Sequence, residues 1–382
     1  MGVASKSGCG YFKMASFGKV IRKNSLNAFS RVVLRRDFTR GRHSLGLVYG
    51  EYGDPGTVLK LEEIPVAEDL KDDEIEVDML CAPVNPSDMN QIQGTYPFKS
   101  ELPAVGGNEG VGLVRRCGLR VTGMKEGDWV IPILPGVGTW RSTLISNCNK
   151  FLKVSSSTGL DFAATLQVNP PTAYRMLKDF VSLQPGDTLI QNGANSGVGQ
   201  AVIQLAAAWD ISTINVVRTR PDSSDFDVIN YLKELGATEV VTEEFLHSHK
   251  MKELIKGYSR PALGLNCVGG DSSTGVAKLL KEKGTLITYG GMSRKPVTIA
   301  TSLFIFKQLT CIGYWNGLWL TNNITNNRAL IEDMFHDLCT LGEKGLLRAP
   351  RSTKHELINY KNAINESMKP FVSSKQLLMI KN

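Results

Sequence analysis

Apolar and polar positions change rhythm once along this chain, close to Asp161. Before it, short apolar runs are cut off by Gly and Pro, which predicts a β-rich unit. Residues 47–52, 58–64 and 74–81 read as strands. The third alternates, with Ile75, Val77 and Met79 on one face and Glu74, Glu76 and Asp78 on the other. Residues 82–88 hold two prolines and form a loop, 108–114 is a turn entering a strand, and 129–131 is a further strand. After Asp161, 163–167 and 173–180 have helical spacing. From 188 onward, apolar runs at 188–192, 214–218, 239–242, 262–268, 285–289 and 309–314 alternate with helical patterns at 197–209, 226–235 and 272–281. That alternation predicts a parallel, doubly wound α/β sheet. Residues 360–368 and 376–380 read as a helix and a strand that return to the first unit.

The segment 188–209, T-L-I-Q-N-G-A-N-S-G-V-G-Q-A-V-I-Q-L-A-A-A-W, joins a strand to a helix through Gly193, Ser196, Gly197 and Gly199. Strand, glycine turn and helix open a nucleotide-binding unit. There the backbone approaches a pyrophosphate closely and the helix start offers free N–H groups. A glycine string can equally be a tight packing turn, so the next strand decides. About twenty residues past the glycines an acid would bind the ribose of NAD. Here Arg218, Thr219 and Arg220 stand at that strand end instead. Guanidinium groups pair with a 2′-phosphate, which selects NADPH; the alternative is two solvated arginines. Tyr289-Gly290-Gly291-Met292 closes the fifth strand, where backbone can lie against a nicotinamide. Tyr314-Trp315-Asn316-Gly317 follows the sixth and carries a weaker signal.

Charge changes the picture at one end only. The chain carries a net +7, yet residues 1–43 alone hold ten Lys/Arg and one acid, Asp37. The remainder is therefore slightly acidic, which argues against a nucleic-acid surface on the folded part. A basic, Ser-containing, nearly acid-free leader with apolar residues among its arginines predicts a mitochondrial transit peptide and a matrix location. No apolar run is long enough for a membrane span. Seven scattered cysteines without a C-x-x-C suit a reducing compartment.

No histidine occurs between Leu47 and Leu246. A catalytic zinc needs convergent His/Cys ligands, so no metal is expected. Polarisation then needs another donor, and Tyr96, in the loop Q-G-T-Y-P-F, is the candidate. The residues alone leave its role open, since a loop tyrosine is commonly structural.

Taken together, V-N-P-S-D-M-N-Q-I-Q-G-T-Y (84–96), P-A-V-G-G-N-E-G-V-G (103–112), V-N-P-P-T-A-Y-R-M-L (168–177), N-S-G-V-G-Q-A-V-I-Q (195–204), N-C-V-G-G (266–270), T-Y-G-G-M (288–292) and S-M-K-P-F-V-S-S-K-Q (367–376) resemble the medium-chain dehydrogenase/reductase superfamily. Within it they are most similar to the zinc-free mitochondrial 2-enoyl thioester reductases. The zinc members carry a ligand Cys in the loop matched by residues 85–88, and Gly-His-Glu where this chain has Gly107-Asn108-Glu109. The resemblance implies a GroES-like catalytic domain, 44–168 plus 346–382, behind the leader 1–43. Inserted in it is a Rossmann NADPH domain, 169–345. It implies NADPH-dependent reduction of trans-2-enoyl thioesters, on acyl carrier protein or coenzyme A, in mitochondrial fatty-acid synthesis. It further implies a homodimer paired near 309–313. Tyr96 is the implied proton donor. The implied cofactor contacts are Asn169, Asn195, Ser196, Gly197, Val198, Arg218, Thr219, Arg220, Tyr289, Gly290, Gly291, Met292, Tyr314, Trp315, Asn316, Gly317 and Lys375. Tyr-Trp-Asn-Gly departs from the family's usual Phe-Trp-Leu-Ser. A zinc-free quinone reductase, or a non-catalytic binding protein on the same fold, are the competing readings.

Overall fold

Three sheets organise the computed structural model, which describes residues 41–221 and 226–381. The expected leader, apart from its last residues, lies outside that range. Arg42 and His43, which composition groups with the leader, belong to the fold. His43 opens strand β1 (His43–Tyr49), opposite Pro65, and Arg42 pairs with Glu76. β1 stops three residues before the expected 52. Residues 55–58 form a short helix capped by Asp54, so β2 (Lys60–Pro65) starts later than the apolar run suggests. With β4 (Ala104–Val105), these strands make a small antiparallel sheet.

The second sheet is built from both ends of the chain. β3 (Glu74–Pro83) pairs with β5 (Val111–Cys117) and β7 (Thr143–Asn147), and β6 (Trp129–Pro132) continues to β8 (Phe151–Val154). On the other side of β3 lies β16 (Lys375–Met379), then β15 (Ser352–Glu356). The acidic face of β3 is buried as well as the apolar one. Glu76 and Asp78 are 2% and 4% exposed. Arg42 and Arg116 neutralise Glu76; Arg115 and Lys381 neutralise Asp78. Alternation reported polarity here, and ion pairing made that polarity compatible with burial.

The third sheet is all parallel. It comprises β9 (Thr188–Asn192), β10 (Ser212–Val217), β11 (Glu239–Thr242), β12 (Leu263–Asn266), β13 (Thr285–Thr288) and β14 (Thr310–Gly313). Their order is β11-β10-β9-β12-β13-β14, so the direction of winding reverses between β9 and β12. Ligands bind outside the carboxyl ends of strands at such a switch point. Helices Asn169–Lys178, Gly197–Ala208 and Arg328–Glu343 pack on one face. Helix Gly270–Leu279 covers the other, with Val276, Ala277 and Leu280 in a second core. Among the described residues no helix is long and apolar enough to cross a membrane.

Candidate active site

The carboxyl ends of the parallel strands gather most of the residues singled out above. Past β9, Ser196 caps helix Gly197–Ala208 by accepting from the Gly199 N–H at 3.1 Å. The glycines serve the chain as well as any ligand. A Cβ on Gly199 would lie 2.5 Å from the Ala194 carbonyl oxygen, and one on Gly197 would lie 2.6 Å from Asn169 Nδ2. Both amount to close backbone packing, so the packing reading of this turn holds alongside the nucleotide one. Asn169 Nδ2 and the Tyr289 hydroxyl are buried without hydrogen-bond partners among the described residues. A buried donor left unpaired costs about 1–3 kcal/mol; two at one turn mark a place made for a polar ligand. Burial raises the Tyr289 phenol well above its usual pKa.

Past β10, the three expected contacts diverge. The Arg218 guanidinium stacks on Phe371, 4.7 Å from the ring centre. Thr219 donates to Glu244. Arg220 donates to the Phe371 carbonyl at 2.9 Å and lies 5.2 Å from the Phe226 ring. Arg220 therefore ties the parallel-sheet unit to the loop before β16, and Arg218 is the guanidinium better placed for a ligand phosphate. Asn195 and Val198 sit in the first turn, and Gly290, Gly291 and Met292 follow β13, Met292 exposed.

Past β14, Trp315 reaches the other half of the molecule. Its Nε1–H donates to the Tyr96 hydroxyl oxygen at 2.9 Å, with the rings edge-on at 5.9 Å. The flanking residues hold this piece: Tyr314 O–H donates to Asn316 Oδ1 at 3.0 Å, and Gly317 leaves no side chain against the Trp315 indole. The Tyr96 oxygen accepts from Trp315, so its own proton is left to give elsewhere. Burial raises the Tyr96 pKa, and the Trp315 hydrogen bond partly opposes the rise, so the phenol stays protonated at neutral pH.

Tyr96 is positioned by helix Pro86–Ile92 and by what lies beneath it. Pro86 suits the first helical position, and the Asp88 carboxylate returns to the Asn85 N–H at 2.8 Å. At the far end the Thr95 and Tyr96 N–H groups both donate to the Asn90 carbonyl. Under the helix a polar network is closed. Lys375 Nζ donates to Asn85 Oδ1 at 2.6 Å, and Asn85 Nδ2 donates to Glu109 Oε2 at 2.7 Å. Asn108 Nδ2 donates to Asp88 Oδ1 and Gln91 Oε1, both at 2.7 Å. Asn85 is thus an amide bridge between an ammonium and a carboxylate. Burial raises Glu109 to about 7 and Asp88 to about 6. It lowers Lys375, whose ammonium the two carboxylates partly restore.

The geometry can be set beside known proteins. The zinc-binding dehydrogenase family matches residues 197–333, and the alcohol dehydrogenase GroES-like domain matches 71–165. The human mitochondrial enoyl-[acyl-carrier-protein] reductase is 49% identical over 332 residues, 87% of this chain and 87% of that one. The chain belongs to the mitochondrial enoyl-[acyl-carrier-protein] reductase family. Among solved structures, the mitochondrial 2-enoyl thioester reductase Etr1p/Etr2p heterodimer from Candida tropicalis has a TM-score of 0.81 at 36% identity, covering 89% of this chain and 100% of its own. The Etr1p complex with NADP and crotonyl-CoA gives the same TM-score, identity and coverages.

The family name raises zinc, and this donor set does not fit it. The loop 85–88 holds no Cys, Asn108 stands where the zinc members have His, and an ammonium already holds the middle of the network. Amides are poor zinc ligands beside Cys and His. Among the described residues no group of three His, Cys, Asp or Glu side chains could hold a metal ion. The residues do fit a nicotinamide dinucleotide: unpaired donors at Asn169 and Tyr289, a helix start at Gly197 and an arginine at the second strand end. The sequence does not announce the Tyr96–Trp315 contact, nor the hydrogen bond that Asn108 Nδ2 donates to Gln91 Oε1. The indole and phenol are 219 residues apart, and no local pattern reports such a pair.

Proposed function

We infer that this chain is an NADPH-dependent reductase of trans-2-enoyl thioesters, carried by acyl carrier protein or coenzyme A, in mitochondria. The observation that carries the reading is the Tyr96–Trp315 contact, a protonated phenol at the nucleotide side of the cleft. Asn169, the turn 195–198, Arg218, residues 289–292 and 314–317, and Lys375 would hold the cofactor. Bound NADPH supplies a hydride to C3 of the enoyl group. The conjugated carbonyl then carries the charge as an enolate, and the Tyr96 O–H is available to that oxygen and as the source of the C2 proton. Trp315 keeps the phenol oxygen occupied as an acceptor, which aims its proton away from the indole. The basic leader suits import, and residues 44–168 with 346–382 and 169–345 form the catalytic and cofactor domains, with Arg42 and His43 joined to the first.

Absorbance at the reduced-nicotinamide band, with crotonyl-CoA against a quinone as acceptor, tests the reading. Turnover of the thioester supports it, and turnover of the quinone alone overturns it. Arg218→Glu should raise the KM for NADPH about tenfold or more, with a smaller change for NADH, because a charge-assisted contact is worth about 1.5–3 kcal/mol. Equal shifts for both cofactors would remove Arg218 from the 2′-phosphate.

A homodimer fits the edge of the parallel sheet. Among the described residues β14 has no neighbour on its outer side, and the adjoining helix Thr301–Lys307 exposes Phe304, Ile305 and Phe306, the last at 76%. Apolar residues beside an open strand edge invite pairing with a second copy. Light scattering on the purified chain should give twice the chain mass; a single-chain mass removes the dimer.

A further inference from the structure

A cleft beside the Tyr96 loop has no part in the chemistry above. Its volume is about 440 Å³, and Phe98, Lys99, Ser100, Glu101, Gly136 and Arg141 line it. It lies close to the reacting groups, for Lys99 follows Tyr96 by three residues, at most about 11 Å of extended chain. Its walls are fixed to the same buried network. Gln91 Nε2 donates to Ser100 Oγ at 2.8 Å, and the Gly136 N–H donates to Asn108 Oδ1 at 2.7 Å. Phe98 packs so closely on Gly136 that a Cβ there would sit 2.7 Å from the ring.

Arg141 is the unusual member. Its Nε and Nη2 donate to the carbonyls of Gly138 and Val137 at 2.8 and 3.0 Å. Among the described residues Nη1 has no hydrogen-bond partner, and Arg141 makes no ion pair. Burial alone lowers its pKa to about 10, with no acid to offset the loss of water. A partly buried guanidinium without a carboxylate gains more from an anion than a fully solvated one. Lys99 adds a second cation at the rim, over the Tyr52 ring at 5.6 Å. Glu101 subtracts one charge, so the lining stays net positive.

We propose that this cleft binds the phosphate ester of the substrate's pantetheine arm, through Arg141 and Lys99. That phosphate is common to coenzyme A and to the prosthetic arm of a carrier protein, so one site serves both. The proposal rests on the reductase reading, because it takes the thioester to lie at Tyr96. A carrier arm bound at both ends is oriented at its reacting end, which raises the share of productive encounters.

The test compares crotonyl thioesters of pantetheine, phosphopantetheine, coenzyme A and acyl carrier protein at saturating NADPH. In the unaltered enzyme the KM for the pantetheine thioester should exceed that for the phosphopantetheine thioester about tenfold. Lys99→Glu should bring that ratio towards one, and should raise the KM for the coenzyme A and carrier-protein thioesters together. Arg141→Lys, which keeps the charge and loses the fork, should lower the ratio part-way. Arg141→Gln should abolish it, with a thermal melt to show that the 137–138 turn persists. Equal KM values for the pantetheine and phosphopantetheine thioesters overturn the site. A Lys99→Glu effect confined to coenzyme A also overturns it, by assigning the charge to the nucleotide phosphates. If none of the four thioesters is reduced, the reductase reading itself has failed, which is a different result.

Discussion

Tyr96→Phe should lower kcat by about 10²–10⁴-fold while the KM for NADPH changes little. The substitution keeps the ring and its edge-on packing against Trp315 and removes one oxygen. That oxygen accepts from the Trp315 indole, and in the proposed mechanism it also carries the proton that an enolate needs. Losing the acceptor leaves a half-exposed indole that water can satisfy, a small effect. Losing the donor removes stabilisation at the oxygen where charge develops, a large one. The raised Tyr96 pKa adds a second signature. An acid whose pKa lies above the ordinary phenol value stays protonated through the neutral range, so no loss of rate from Tyr96 ionisation should appear between pH 6 and about 9. Stopped-flow single turnovers would separate the chemical step from cofactor release. An unchanged hydride-transfer and protonation rate in the Phe variant removes Tyr96 from the reaction.

Lys375→Met should destabilise the fold by about 2 kcal/mol at pH 8, because Asn85 loses a charged donor and the buried Glu109 and Asp88 lose a nearby ammonium. The loss should shrink towards pH 5. Glu109 and Asp88 have pKa values raised in the folded protein, to about 7 and about 6, above their ordinary values. Such carboxylates oppose folding when ionised, so their stability contribution is full below the unfolded pKa and is lost as pH rises through the folded one. The unaltered protein should show part of that decline between about pH 4.5 and 7. Without the ammonium, which now lowers both values, the folded pKa values rise further and the decline extends above 7. Urea melts at pH 5 and pH 8 check the sign, and the double variant Lys375→Met, Glu109→Gln should recover most of the deficit at pH 8. An equal deficit at both pH values would falsify the charge-pair account and leave only lost packing.

The ease of reading each part from sequence follows from what holds it. β9 and β11 match their expected bounds residue for residue, the first buried throughout and the second an edge strand, each closed by turns. Helix Tyr360–Met368 does too. Helix Arg328–Glu343 has a regular stripe, Ile331, Met334, Phe335 and Leu338, all buried; the signal was present and went unassigned among polar neighbours. β15 is Ser-Thr-Lys-His-Glu and is a strand only because β16 offers its edge, which nothing in those five residues announces. The site divides in the same way. The glycine turn and Arg218 sit at fixed offsets along one supersecondary unit and are local facts. Tyr96 with Trp315, and Lys375 with Asn85, are meetings of distant segments that only the packed sheets bring about.

The seating of β16 between β15 and β3 also sets an order of assembly. A ribosome or an import channel delivers the chain from its amino end, so β3 emerges about three hundred residues before the strand that covers its flank. The six parallel strands, all complete by residue 313, can close on one another first. The sheet that contains β3 waits for β16, and until it arrives the Cys81–Pro83 end of β3 presents an unpaired edge. Lys375, in that last strand, is the cation beneath the helix that carries Tyr96. A chain cut after residue 313 would keep the six parallel strands in its sequence and lose the Lys375–Asn85 hydrogen bond.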